Sequence, residues 1–367
     1  MATTVFVLVV LLRFTVPLAI PRFPLPAILA SLVLDAADQS IFQMFTDDPL
    51  PGYQTYDKAL DVYYLAIAYM STMRNWRDPV AFRSARFLYL YRLVGVTLFE
   101  LFQARWLLLV FANTFEYFFI AYEFVRTRWN PARLGAAVIV GLAAAIWIFV
   151  KLPQEWWIHI AKLDFTEFMA DHPWMWIVLG VAVAGAAVAL YVERRRIPRP
   201  DWPFTVDVDS HLAIAPVTDV ERPFWSLVLL EKVVLLALIS VIFSQVLPDI
   251  EASEIGIVVG VAVLVVANAG VSELLRRRGH SWSTTVQQFG AMLLINLGIV
   301  TVDALVGSRR GDRAPAGNTL FFVLLLSLLI ALFDRFRDTR DPVVDRQTVW
   351  PAVREDVHRR RATKAQG

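Results

Sequence analysis

The chain contains no cysteine. Disulfides, iron–sulfur clusters and thiol chemistry are thereby excluded. Lysine is scarce as well. Lys58, Lys151, Lys162, Lys232 and Lys364 are the full set, so arginine carries most of the positive charge. That bias points to a GC-rich bacterial genome, such as an actinobacterium's. There is no Walker phosphate loop, no dinucleotide-binding glycine fingerprint and no Gly-x-Ser-x-Gly. These absences argue against an ATP-driven pump, and nothing in the chain suggests a nucleic-acid partner. No positive charge precedes the first apolar run, and Arg13 interrupts it. A cleaved signal peptide has the opposite pattern.

What the chain has in abundance is apolar length: 57% of the 367 residues are hydrophobic. They fall in runs of about 17 to 25 residues, enough to cross a hydrocarbon core as helices. In lipid each run must satisfy its own backbone hydrogen bonds, which leaves helices or a closed barrel. Segments such as Ile255 to Ala269 lack the alternation a barrel strand needs. The expectation is an all-α polytopic membrane protein of about eleven transmembrane helices. They are placed near 4–20, 25–45, 56–73, 86–102, 105–125, 134–151, 174–193, 224–247, 255–274, 285–306 and 318–335.

Arginine-rich segments fix an expected orientation. Those at 74–86, 126–133, 194–199 and 276–278, with the tail from Arg335, share one side under this count. The basic segment Ser308 to Arg313 is the exception. The expected location is a bacterial inner membrane, N-terminus outside and C-terminus cytoplasmic. Four parts are expected: an N-terminal membrane module at 1–192, a cytoplasmic connection at 193–223, a second module at 224–335 and a basic tail at 336–367. Ala137, Gly141 and Ala145, like Gly256 and Gly260, have small-residue spacing suited to helix contacts.

The segment near 153–170 reads as an amphipathic helix lying in the interface, anchored by Trp156, Trp157, Phe165 and Phe168. Glu155 and His159 lie four apart on it, and a metal there would need a third ligand such as Asp164 or His172. Asp207, Asp209 and His211 alternate, as on one face of an extended surface segment.

Ionisable residues within spans are costly and mark function or pairing. They concentrate in the first third of the chain. Asp35 and Asp38 lie one turn apart, as do Asp57 and Asp61 on the next helix. The short connection 46–52 makes these helices antiparallel neighbours, so the four carboxylates are candidates for a divalent metal site. Arg13, Arg92 and Lys58 are candidate neutralisers. Arg92 and Glu100 share one face of the fourth helix. Glu116 lies at mid-span, either as a proton, cation or substrate contact or as the partner of Arg92 or Arg13. In the tenth helix Gln288, Asn296 and Asp303 form a polar stripe that faces the first module or bonds a neighbour.

The segment from Asp35 to Asp61 resembles, in its two pairs of Asp residues, the metal-binding motif of CDP-alcohol phosphotransferases. Gln39 stands where that family has Gly, Phe42-Gln43 where it has Ala-Arg, and the spacing is one residue too long. The chain is therefore not placed in that family.

Three functional readings follow. The first is a transporter or permease whose carboxylates bind a cation, proton or small polar substrate. Missing internal repeats and spans unbroken by Gly or Pro weigh against it. The second is a membrane-embedded enzyme, metal-dependent or not, acting on a lipid or lipid-linked substrate from the outer face. The third is a scaffold whose charges only join helices. The binding candidates common to the first two are Asp35, Asp38, Asp57, Asp61, Arg92, Glu100 and Glu116. Cysteines introduced at Ser84 and Asp48 should react with an impermeant thiol reagent from opposite sides of the membrane; labelling of both from outside refutes the helix count.

Overall fold

A computed structural model describes residues 2–45, 53–162, 165–193, 198–210, 227–246, 266, 282–308 and 316–338. Among the described residues the fold is all-α, with no strand. The helices are α1 (Ala2–Thr15), α2 (Pro24–Phe45), α3 (Tyr53–Asn75), α4 (Pro79–Phe102), α5 (Trp106–Val110), α6 (Thr114–Arg126), α7 (Ala136–Ile160), α8 (Phe165–Asp171), α9 (Met175–Glu193), α10 (Leu227–Val246), α11 (Trp282–Ser308) and α12 (Ala316–Asp338). The expected span at 255–274 apart from residue 266, the connection 46–52, the basic stretch 309–313, Gly256, Gly260, His211 and the tail beyond 338 lie outside the described residues.

α3 is the axis of the bundle. From Ala59 to Met73 only Asp61 is not buried. Its neighbours are α1, α2, α4, α10 and α12, so helices from both ends of the chain share one core. Aromatic rings fill that core. Tyr69 stacks on Tyr89 at 4.6 Å between centroids, and Trp76 packs against Phe118, Phe119 and Tyr122. Large flat side chains bury much apolar area with few rotatable bonds, which favours a rigid centre.

Three elements depart from the sequence expectation. α4 begins at Pro79, not near 86. The Asp78 side chain accepts hydrogen bonds from the Val80 and Ala81 amides, and Pro79 occupies the first turn. Arg83 and Arg86 therefore belong to the helix. Next, the expected span at 105–125 is interrupted: α5 stops at Val110 and α6 starts at Thr114. Phe111 enters the space over Gly95 of α4, where a Cβ atom would overlap its side chain. Finally, the helix expected to end at 151 continues to Ile160 through two π-helical stretches, Ile146–Lys151 and Trp156–Ile160. Residues 152–160 are thus not a separate interfacial helix. Lys151 and Glu155 point into the bundle and are buried, while Trp156 is half-exposed. Only the short α8 remains of the expected amphipathic element, with Phe168 against Trp157.

At one end of the bundle the segment 198–210 straps the connections together. Arg22 donates to Asp207, Arg74 to Asp209 and Arg133 pairs with Asp201. The Val208 amide donates to the Arg22 carbonyl, and the Thr205 amide to that of Thr127. Asp207 and Asp209 thus serve as partners for arginines on different connections, where the sequence suggested an extended face.

The segments Trp106–Arg126, spanning α5, the interruption and α6, and Ala136–Ile160 are long and apolar enough to cross a membrane. The second buries little of itself: Ile148 and Phe149 of α7 face outward. A Cβ atom at Gly141 of α7 would meet nothing within 4 Å, so at that position the expected small-residue face leaves open space. Gly95→Val should lower stability by about 1–3 kcal/mol through overpacking against Phe111, whereas Gly141→Val should leave it within about 0.5 kcal/mol; thermal unfolding of both variants checks the difference.

Candidate functional site

Asp35 and Asp38 share one face of α2, and Asp61 faces them from α3. Arg13, carried in by α1, lies between the three. One terminal nitrogen donates to Asp38 and the other to both Asp35 and Asp61. Arg13 and Asp38 are buried, while Asp35 and Asp61 are partly open. A guanidinium suits this position because its planar fork of donors serves several carboxylates at once. Arg13 is one of the counter-charges the sequence offered for these aspartates, a bound divalent metal being another. The described residues contain no cluster of His, Asp and Glu with the geometry of a metal site. Asp57 lies near the start of α3, and its side chain falls outside the described residues.

Deeper in, the gap between α5 and α6 organises the site. Its backbone is held by two charged side chains from different helices. Arg92 of α4 donates to the Phe111 carbonyl at 3.1 Å, and the Asn113 amide donates to Glu155 of α7 at 3.2 Å. Glu155 also faces His159 Nε2 at 3.0 Å and Lys151 Nζ at 4.0 Å. Lys151 Nζ donates to Gln154 at 3.0 Å and lies 4.1 Å from the centroid of the Tyr117 ring. In the first turn of α6, Glu116 accepts from the Tyr64 hydroxyl at 2.6 Å and from Asn113 Nδ2 at 2.9 Å. A carboxylate suits a helix N-terminus, where backbone amides point without partners.

A cavity of about 340 Å³ lies among these helices. Asp35, Asp61, Arg92, Glu100 and Glu116 all line it, together with Lys58, Tyr64, Tyr89, Asn113, Tyr117, Lys151 and Gln154. The polar walls grade in exposure. Lys58, Asp35 and Asp61 are partly open, whereas Glu116 and Lys151 are 4% exposed. Of the sequence candidates, Asp38 stands behind Arg13 and does not line the cavity. Glu100 pairs with Lys58 at 3.2 Å, and Arg92 spends its bond on the helix gap. Of the alternatives the sequence left open for Glu116, the structure shows a polar cluster, a hydroxyl and an amide, with no hydrogen bond from Arg92 or Arg13 among the described contacts.

The residues that sequence reasoning misplaced are Lys151 and Glu155. Beside Trp156 and Trp157 they read as an interfacial helix. Their four-residue spacing also continues the face of α7 inward, and that was the available signal. Asn113-Thr114 was the signal for the gap, since both are helix-starting residue types in mid-span. Glu123, two turns after Glu116, is held at the opposite end of α6 by Trp76 Nε1 at 2.6 Å and by Arg126. The polar stripe of the C-terminal half bonds a neighbour: Gln288 donates to Asp334 at 3.0 Å and Asn296 to Ser327 at 2.7 Å. Asp334 in turn accepts from Lys232 at 2.6 Å, an ion pair the sequence reading did not anticipate. The Asp303 side chain is outside the described residues.

The chain matches no protein-family model, no curated protein and no solved structure. Removing Arg13 leaves three carboxylates facing one another without their shared counter-charge. Arg13→Ala should therefore cost about 3–5 kcal/mol, and adding Asp38→Asn should recover part of that loss. Equal melting temperatures for the single and double variants would show that Arg13 is not holding these carboxylates.

Proposed function

We propose that the chain is a multi-pass protein of a bacterial inner membrane, with its N-terminus outside, and that it acts as a transporter or permease for a small polar or charged solute. The helix gap at Phe111–Asn113 carries the reading. Discontinuous spans beside polar cavities are a recurring construction of transporter binding sites, because unwound backbone offers bonding groups at membrane depth. Non-helical backbone is tolerated at that depth only where protein or a water-filled cavity receives it. Here Arg92, Glu155 and the cavity supply those conditions.

Membrane placement rests on physical grounds. A soluble core helix of the length of α7 would be mostly buried, but Val138, Ile148 and Phe149 face outward. On α9, Ile177 and Val181 do the same. Such surfaces favour a lipid environment. The strap of 198–210 gathers Arg22, Arg74 and Arg133 at one end, consistent with a cytoplasmic face. The cavity lies toward the other end and would open outward through Asp35, Lys58 and Asp61.

A cavity reaching Glu116 favours a binding role over a scaffold whose charges only pair helices. The Arg13 guanidinium among the aspartates disfavours the metal-dependent version of the enzyme reading. Because the chain has no cysteine of its own, a single introduced thiol reports its surroundings directly. Val96 lines the cavity and Phe149 faces outward from α7. Val96→Cys should react with an impermeant thiosulfonate added outside intact cells at least about tenfold faster than Phe149→Cys, since only a water-exposed thiol ionises readily. Equal, slow rates would refute an outward-opening aqueous cavity.

A further inference from the structure

We propose that a groove along α4 is a binding site for one anionic phospholipid of the cytoplasmic leaflet, with its phosphate on Arg83 and Arg86 and one acyl chain reaching Phe111. The inference rests on the membrane placement proposed above and goes beyond the transport reading. Arg83, Phe87, Leu90 and Val94 follow one another at spacings of four, three and four, so they share one face of the helix. With Arg86, Tyr91 and Phe111 they line an open groove of about 460 Å³. It shares no lining residue with the polar cavity.

The division of its lining is the first argument. Both charged residues stand at one end. The rest is apolar or aromatic, with Phe87 56% exposed and Leu90 and Val94 half-buried. A ligand with one anionic head and a long apolar tail matches that division, whereas a small polar solute leaves most of the wall unused. Guanidinium forks bind phosphate through paired N–H donors. Arg86 also lies 3.7 Å from Glu231, and its guanidinium sits 5.6 Å from the centroid of the Phe82 ring. With five donors on each guanidinium, a phosphate adds to such contacts without replacing them. Basic pockets between spans on the cytoplasmic side are recurrent sites for anionic headgroups.

Depth is the second argument. Arg83 lies in the second turn of α4, near the end of the bundle where the strap of 198–210 holds Arg22 and Arg74. From Arg83 to Val94 the helix rises roughly 16 Å, about half of a hydrocarbon core of about 30 Å. The groove therefore runs the depth of one leaflet, from headgroup level to the midplane. At its far end stands Phe111 of the helix gap. The Phe111 ring lies 4.5 Å from that of Tyr91, whose hydroxyl donates to the Val110 carbonyl at 2.9 Å. Trp147 of α7 stands beside Tyr91, with 5.1 Å between centroids. An acyl chain ending here packs on the residue that fills the space over Gly95 and whose carbonyl Arg92 holds. The lipid thereby braces the interruption without entering the cavity.

The test uses the full chain in a non-ionic detergent. The probes are dioleoyl phosphatidylglycerol, phosphatidylcholine with the same chains, and glycerol 3-phosphate. Native mass spectrometry reads retained lipid, and tryptophan fluorescence reads the melting temperature. Phosphatidylglycerol should be retained at least about tenfold more tightly than phosphatidylcholine, as expected for added charge-assisted bonds, and should raise the melting temperature. Glycerol 3-phosphate should do neither, because it lacks the chains. Arg83→Gln should weaken phosphatidylglycerol binding severalfold. Val94→Trp keeps both arginines and fills the deep end of the groove, and should weaken it about tenfold. Unchanged phosphatidylglycerol affinity in either variant that folds overturns the proposal. So does equal retention of the two lipids, or binding of glycerol 3-phosphate as tight as that of phosphatidylglycerol. Dimers that Val94→Trp dissociates, with no lipid retained, give the groove to a second copy and also overturn it. Flotation with phosphatidylcholine vesicles is scored separately. Flotation without a phosphatidylglycerol preference removes the lipid site and keeps the membrane placement; failure to float removes both.

Discussion

A helix interrupted inside a packed bundle leaves backbone amides and carbonyls that must find partners, because unbonded groups away from water are costly. At Phe111–Asn113 those partners are Arg92 and Glu155. Each is a charged group brought into the bundle and needs partners in turn. Glu155 has His159 and Lys151, and Lys151 has Gln154 and the Tyr117 ring. The cavity, the π-helical stretches of α7 and the close approach at Gly95 all meet at this interruption. The stretch Ile146–Lys151 ends on the lysine that faces the site, and π-helical insertions of this kind are frequent at functional sites.

The Arg13 cluster solves a related problem by different means. Three carboxylates from two helices are held by one guanidinium from a third, so α1, α2 and α3 are joined near the cavity mouth. This arrangement costs desolvation that an apolar cluster of the same volume would not. The aromatic core around Tyr69, Trp76 and Phe119 offsets such costs with dense apolar packing. Along α6, Glu116 faces the cavity and Glu123 lies roughly 10 Å further along the axis. Phe118 and Phe119, both fully buried, lie between them, and the fully buried Phe115 directly precedes Glu116.

The helical class was legible because runs of apolar residues leave little alternative in length or hydrogen bonding. The crowding of ionisable residues into the first third was legible too, and Asp35, Asp61, Arg92, Glu100 and Glu116 do line one cavity. The interruption was not. Neither Gly nor Pro marks it; it depends on Gly95 accommodating Phe111 and on Arg92 and Glu155, which are distant in sequence. The inward turn of Lys151 and Glu155 was hidden for the same reason, since local composition beside two tryptophans suits an interface equally well. The start of α4 was readable from Asp78-Pro79 but was outweighed by the basic character of the residues that follow. Which cation answers the aspartates is a question of tertiary geometry, and sequence could only name Arg13 among several candidates.

Hydrogen exchange across residues 104–126 of the full chain in lipid nanodiscs tests the central claim most directly. The interruption predicts a local exchange maximum at Ala112–Thr114 between protected flanks, raised further in Glu155→Leu because the Asn113 amide loses its partner. Uniform protection from Trp106 to Arg126, unchanged by that substitution, would contradict it.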